Sequence, residues 1–130
     1  MSSEKLLLKV LFIEDDESFF GILKPRVQKE GFFVIWARDG EEGIQKACIE
    51  LPDLIVVDIV MPKLNGFEVI KTLKENALTR NLKFIILSNY GETSLLYDKD
   101  FLETLGIKKY LIKSNHTPTQ IAKEIKSVVV

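Results

Sequence analysis

Residues 6–37, LLLKVLFIEDDESFFGILKPRVQKEGFFVIWA, contain the order of patterns that decides the fold. Leu6–Ile13 is a nearly continuous apolar run, as expected of a strand covered on both faces. Residues 17–30 then place Phe19, Leu23 and Val27 at i, i+4 and i+8, with Phe20 on the same side, which is helical spacing. Phe32–Trp36 is a second apolar run. Outward from this strand–helix–strand unit the alternation repeats. Leu54–Val57, Phe84–Leu87 and Tyr110–Ile112 are predicted strands. Predicted helices cover 41–51 (Ile44, Ala47, Cys48, Leu51) and 67–78 (Val69, Ile70, Leu73, Ala77). Two more cover 92–105 (Leu95, Leu96, Leu102, Leu105) and 118–129 (Ile121, Ile125, Val128), the last opening on Pro118.

Five strand–helix units in strict alternation call for a parallel sheet with helices on both sides. Right-handed crossovers favour the order 2-1-3-4-5: an α/β, three-layer, flavodoxin-like fold of five parallel strands and five helices. Its crevice is expected at the carboxyl ends of the strands. Residues 1–130 are expected to form one domain, with no output domain in this chain. Pro25 falls inside the first predicted helix, where its ring opposes the Gly21 carbonyl. A kink or irregularity near residue 21 is expected, the alternative being a helix that ends early.

The chain of 130 residues is 46% apolar and 28% charged, the balance of a globular protein. Eighteen basic and 19 acidic side chains give a net charge of −1, so no global field points to nucleic acid or a membrane surface. One cysteine, Cys48, excludes an intramolecular disulfide and suits a reducing compartment. The start, MSSEKLLLKVLFIEDD, reads as a strand rather than a signal peptide, and a cytoplasmic location is expected.

Carboxylates collect at strand ends. The first strand runs into Glu14, Asp15 and Asp16, and the third into Asp58. These strands are neighbours in the expected order, so their ends meet. Clustered carboxylates raise one another's pKa unless a cation sits among them. Oxygen ligands without Cys or His suit Mg²⁺, with Mn²⁺ as a substitute. A second reading stays open, in which Glu14–Asp16 is a solvated turn and Asp16 caps the first helix. Asp58 ends an apolar strand before a proline-containing loop and has no evident capping role.

The run DLIVVDIVMPKLNGFEVIKTLK, residues 53–74, resembles the phosphoacceptor segment of bacterial two-component response-regulator receiver domains. Its core is Asp58-x-x-Met61-Pro62-x-x-Asn65-Gly66. Glu14 and Asp15 match the family's acidic pair, and Ser88 its hydroxyl residue after the fourth strand. Tyr110 and Lys113 match the switch aromatic and the lysine of the fifth strand. ARDGEEGIQKA, residues 37–47, is similar to the family's second loop and helix. The likeness spans about residues 8–126.

The resemblance implies a phosphorelay signalling domain of the chemotaxis-type single-receiver kind. Asp58 would accept a phosphoryl group from a sensor histidine kinase or a histidine phosphotransfer protein. Mg²⁺ would be held by Asp15, Asp58 and the Val60 backbone carbonyl, with Glu14 acting through water. Lys113 and Ser88 would contact phosphoryl oxygens. Ser88 and Tyr110 would form a switch that alters the face of helix 4, strand 5 and helix 5. Lys108, Lys109, Lys123 and Lys126 make that face basic, which fits either an acidic partner as the downstream protein target or a salt-sensitive self-association. The domain would not be an enzyme, although intrinsic self-phosphorylation and autodephosphorylation are expected. It would be a monomer or weak homodimer without direct nucleic-acid or membrane contact.

Several residues depart from the family pattern. Asn89 replaces a small residue, and its amide could reach the phosphoryl group or attacking water. Ser114 follows Lys113 where the family has proline, commonly cis. A cis bond at a non-proline costs about 3–4 kcal/mol, so the bond is trans or strained. The stretch from Ser88 to Lys113 is a few residues longer than usual, with the excess in Asn89–Asp100. His116 reads as a solvated loop residue and Cys48 as a small buried hydrophobe. Two rival functions can be set against the receiver. An aspartyl-phosphate phosphohydrolase would want a second acid two residues after Asp58, where Val60 stands. A phosphorylation-independent, receiver-like interaction module is the other.

Overall fold

The computed structural model describes residues 7–89 and 99–129. The elements run β1 (Leu8–Ile13), α1 (Glu17–Lys29), β2 (Phe32–Ala37), α2 (Gly40–Glu50), β3 (Leu54–Val57) and α3 (Gly66–Lys74). They continue with β4 (Phe84–Ser88), α4 (Lys99–Thr104), β5 (Ile107–Ile112), a 3₁₀ turn (Lys113–Asn115) and α5 (Pro118–Val129). The sheet order is β2-β1-β3-β4-β5, every pair is parallel, and the expected topology is present.

The continuous apolar runs follow from a sheet with two covered faces. In β1, Val10 and Phe12 point into a core shared with Phe20, Leu23 and Val27 of α1 and Ile121 and Ile125 of α5. Leu11 and Ile13 point the other way, toward Ala47 of α2 and Val69, Ile70 and Leu73 of α3. Successive strand side chains alternate between faces, so both positions must be apolar. β1 and β3 occupy the middle of the sheet, which carries their carboxyl ends to one buried place.

Two boundaries differ from the sequence reading, and one expected alternative does not occur. α1 runs unbroken through Pro25 to Lys29, so the early end does not occur. Gly21 and Pro25 are both exposed, which leaves water free to satisfy the carbonyl that Pro25 cannot bond. α3 stops at Lys74, four residues short of the expected 78. There Asn76 turns the chain by accepting from the Leu78 N–H (2.9 Å), and buried Thr79 donates to the Leu73 carbonyl (2.6 Å). Local side-chain bonds of this kind compete with helix propagation. β5 begins at Ile107 rather than Tyr110, because an edge strand tolerates Lys108 and Lys109. Lys108 is the extra residue where the β4–β5 register shifts. Of the helix expected over 92–105, Leu95 and Leu96 lie outside the described residues, as does residues 90–98 of the long Asn89–Asp100 stretch.

Among the described residues no peptide bond is cis, so Lys113–Ser114 is trans and opens the 3₁₀ turn. His116 is not a purely solvated loop residue. It is half-buried, with Nδ1 3.0 Å from the Ile112 carbonyl, and so tightens this turn. Cys48 is half-buried against the α2–α3 side of the core.

Candidate functional site

Backbone pairing brings the acidic residues together. The Asp58 N–H donates to the Ile13 carbonyl (3.1 Å), and the Glu14 N–H donates to the Ala37 carbonyl (3.0 Å). Both residues extend ladder pairings one step past the strand ends, so their side chains enter the crevice from adjacent strands. Oxygens of Glu14, Asp15 and Asp58 lie within 4.8 Å of one another. Asp15 is exposed, whereas Glu14 and Asp58 are buried at 4% and 8% exposure. A cavity of about 250 Å³ is lined by these three, with Asp16, Val60, Ser88, Asn89 and Lys113.

Asp16 has a different task from the other acids. Its side chain accepts from the Phe19 N–H (3.0 Å) and caps α1, and its own N–H donates to Glu14 Oε2 (3.0 Å). The capping reading therefore holds for Asp16 and fails for Glu14.

The Ile59–Asn65 loop holds Asp58 from behind. The Gly66 N–H donates to the Ile59 carbonyl (2.8 Å), and Asn65 and Glu68 form a capping box at the start of α3. A Cβ on Gly66 would sit 2.4 Å from the Asp58 carbonyl oxygen and 3.0 Å from the Ile59 Cα, both backbone atoms. Gly66→Ala is expected to cost about 1–3 kcal/mol in urea denaturation. A variant as stable as wild type would mean that the loop yields without cost.

Lys113 is the counter-charge. Its Nζ lies 2.7 Å from Glu14 Oε1 and 3.2 Å from Asp58 Oδ2, with all three side chains at most 10% exposed. The Phe19 ring covers the ammonium at 4.5 Å. Burial alone would lower the Lys113 pKa, but Glu14 and Asp58 outweigh it and hold the ammonium above its ordinary value. Burial also pushes the Tyr110 hydroxyl up, and the charge of Asp58 adds to the effect. Ser88 is fully buried at the end of β4, and Asn89 is exposed beside it.

Glu14 responds most to its setting. Burial drives its carboxyl up, Lys113 and the Asp16 N–H only partly oppose this, and it titrates at about 7 against an ordinary 4.5. A carboxyl raised in the folded state stabilises fully below the unfolded value and loses that contribution as pH rises through the folded one. In EDTA, this group is expected to remove on the order of 2–3 kcal/mol of stability between pH 4.5 and about 7. Glu14→Gln should flatten that slope in urea titrations; an unchanged slope would assign the loss elsewhere.

The expected basic face is partly neutralised. Lys109 pairs with Glu124, and Lys123 and Lys126 lie 4.0 and 3.5 Å from Glu30. Sequence reasoning did not reveal these pairs, because Glu30 is the C-cap of α1, far along the chain from α5, and Glu124 meets Lys109 only once α5 packs beside β5. It also missed Trp36, whose indole Nε1–H donates to the Glu14 carbonyl (2.8 Å). Only the cross-strand register, with Phe12 opposite Trp36, brings that indole to the Glu14 backbone.

A doubly covered parallel sheet with three clustered carboxylates and a buried lysine at its carboxyl edge defines an α/β domain with its candidate site in that crevice. The response regulator receiver domain family matches residues 10–126, and the chain belongs to that family. It is 35% identical over 121 residues to the alkaline phosphatase synthesis transcriptional regulatory protein PhoP of Bacillus subtilis, covering 93% of this chain and 48% of that one. The chain thus spans about half the length of such regulators. Protein PilH of Pseudomonas aeruginosa is 31% identical over 107 residues, covering 82% of this chain and 86% of that one. The solved chemotaxis protein CheY4 of Vibrio cholerae has a TM-score of 0.81 at 25% identity, covering 96% of this chain and all of that one. A CheY-like receiver domain protein of Methanospirillum hungatei has a TM-score of 0.80 at 25% identity, covering 95% and 94%.

Family membership places the chain in phosphorelay signalling. Receiver domains typically bind Mg²⁺, and the Glu14–Asp15–Asp58 cluster fits a divalent ion by its oxygen donors. Among the described residues no helix is long and apolar enough to cross a membrane.

Proposed function

We propose that residues 1–130 act as one receiver domain in which Asp58 accepts a phosphoryl group from the histidine of a sensor kinase or phosphotransfer protein. The observation that carries this is the approach of Glu14, Asp15 and Asp58 oxygens within 4.8 Å, with Lys113 bridging Glu14 and Asp58. Mg²⁺ held by Asp15, Asp58 and the Val60 carbonyl, with Glu14 through water, would neutralise charge on the phosphoryl oxygens.

The chain's own residues do the rest. An Asp58 carboxylate oxygen attacks phosphorus as the phosphorus–nitrogen bond to the donor imidazole breaks, and the imidazole takes up a proton. Asp58 Oδ1 is oriented by the Val60 N–H at 3.3 Å, while Lys113 meets Oδ2 and is placed to follow the developing charge. Ser88, buried at the cavity wall, donates to a phosphoryl oxygen. Tyr110 then follows Ser88 inward, changing the α4–β5–α5 face offered to a downstream protein. Asn89 modulates hydrolysis of the acyl phosphate.

The test is incubation with acetyl phosphate and Mg²⁺, read by intact mass and by backbone NMR with beryllofluoride. One phosphoryl group per chain and shifts reaching β5 and α5 are expected. No mass gain would favour the phosphorylation-independent module, and shifts confined to the cavity would remove the switch.

A further inference from the structure

We infer that Trp36 is a positioning residue for the metal-binding carboxylates, its indole N–H setting the Glu14 backbone that presents them. This rests on the proposed Mg²⁺ site. The ladder between β1 and β2 ends when the Glu14 N–H donates to the Ala37 carbonyl (3.0 Å). In a parallel ladder the next donor, to the Glu14 carbonyl, would be the Asp39 N–H. The chain leaves the sheet there. The Arg38 N–H donates to Glu42 Oε1 (2.6 Å), and Asp39 caps α2 through the Glu42 N–H (2.9 Å). The Glu14 carbonyl, in a residue only 4% exposed, receives instead the Trp36 Nε1–H at 2.8 Å.

The donor is held rigidly. The indole stacks on Phe20 with centroids 4.7 Å apart and planes 11° apart, and Phe20 meets Phe12 edge-on at 5.7 Å. The Arg38 guanidinium lies 4.8 Å from the Trp36 ring. Glu14 is thus fixed on both backbone sides, its N–H by Ala37 and its carbonyl by Trp36. The next peptide carries Asp15. Without the indole donor, a buried carbonyl is left unpaired and the Glu14–Asp15 peptide is free to rotate toward another partner. Groups that orient ligands typically change metal affinity 10–100-fold when lost.

Because the chain has a single tryptophan, residue-specific replacement by benzothienylalanine swaps the N–H for sulfur and keeps the ring's shape. Mg²⁺ titrations followed at the Asp15 and Asp58 amides by NMR should give an affinity roughly tenfold weaker than wild type for this analogue and for Trp36→Phe. At saturating Mg²⁺ the rate of phosphoryl uptake should match wild type, a split that general unfolding would not produce. If Trp36→Phe fails to fold, the analogue protein decides alone. Unchanged affinity in the analogue overturns the positioning role. A wild-type chain that ignores Mg²⁺ overturns the parent reading, and this one with it.

Discussion

Asp58→Asn is expected to abolish phosphoryl uptake from acetyl phosphate and Mg²⁺ while leaving the fold in place. The amide is no nucleophile, since its lone pair is delocalised into the carbonyl. It still offers an oxygen to the Val60 N–H, the role that Oδ1 performs at 3.3 Å. The amide NH2 then stands where Lys113 had Oδ2 as an acceptor, but Lys113 keeps its shorter contact, 2.7 Å to Glu14, so the buried ammonium is not stranded. One buried negative charge disappears beside Glu14, which relieves repulsion. Stability within about 1 kcal/mol of wild type follows. Intact-mass measurement checks the chemistry and urea denaturation the fold. Phosphoryl uptake by this variant at a rate near wild type would place the acceptor elsewhere and overturn the assignment of Asp58.

Lys113→Met carries the second large effect, and its size depends on metal. The ammonium bridges two nearly buried carboxylates, so its loss leaves Glu14 and Asp58 facing each other without a counter-charge. Breaking a buried pair from one side costs about 3–5 kcal/mol, although Glu14 lessens this by taking up a proton. A loss of about 2–4 kcal/mol in EDTA at neutral pH is expected. Mg²⁺ supplies charge to the same oxygens and should recover part of it. The measurement is paired urea denaturation with EDTA and with Mg²⁺. Equal destabilisation in the two conditions would mean that the lysine and the metal do not act on the same group.

Much of the fold was legible in the sequence because its strands are apolar on both faces. Val10 through Ile13 could have no exposed side, and only a doubly covered sheet accommodates that. Helix ends were less legible. α3 stops where Asn76 and Thr79 satisfy backbone groups locally, which no apolar period encodes. β5 begins earlier than hydropathy suggests, since an edge strand lets Lys109 reach solvent and Glu124. At the site, residues that end strands could be located from spacing: Glu14 and Asp58 stand one step beyond β1 and β3. What could not be located depends on register between distant segments. Trp36 reads as one more apolar strand residue until Phe12↔Trp36 pairing sets its ring beside Glu14. The same holds for Phe19 against Lys113, and for Glu30 against Lys123 and Lys126.

The indole described above is also the chain's one strong near-ultraviolet fluorophore. Its bond to the Glu14 carbonyl ties the dipole of the excited ring to the peptide that leads into the acidic pair. Events at the crevice therefore have an optical readout already built into the protein, and stopped-flow emission at Trp36 can time them without an attached dye.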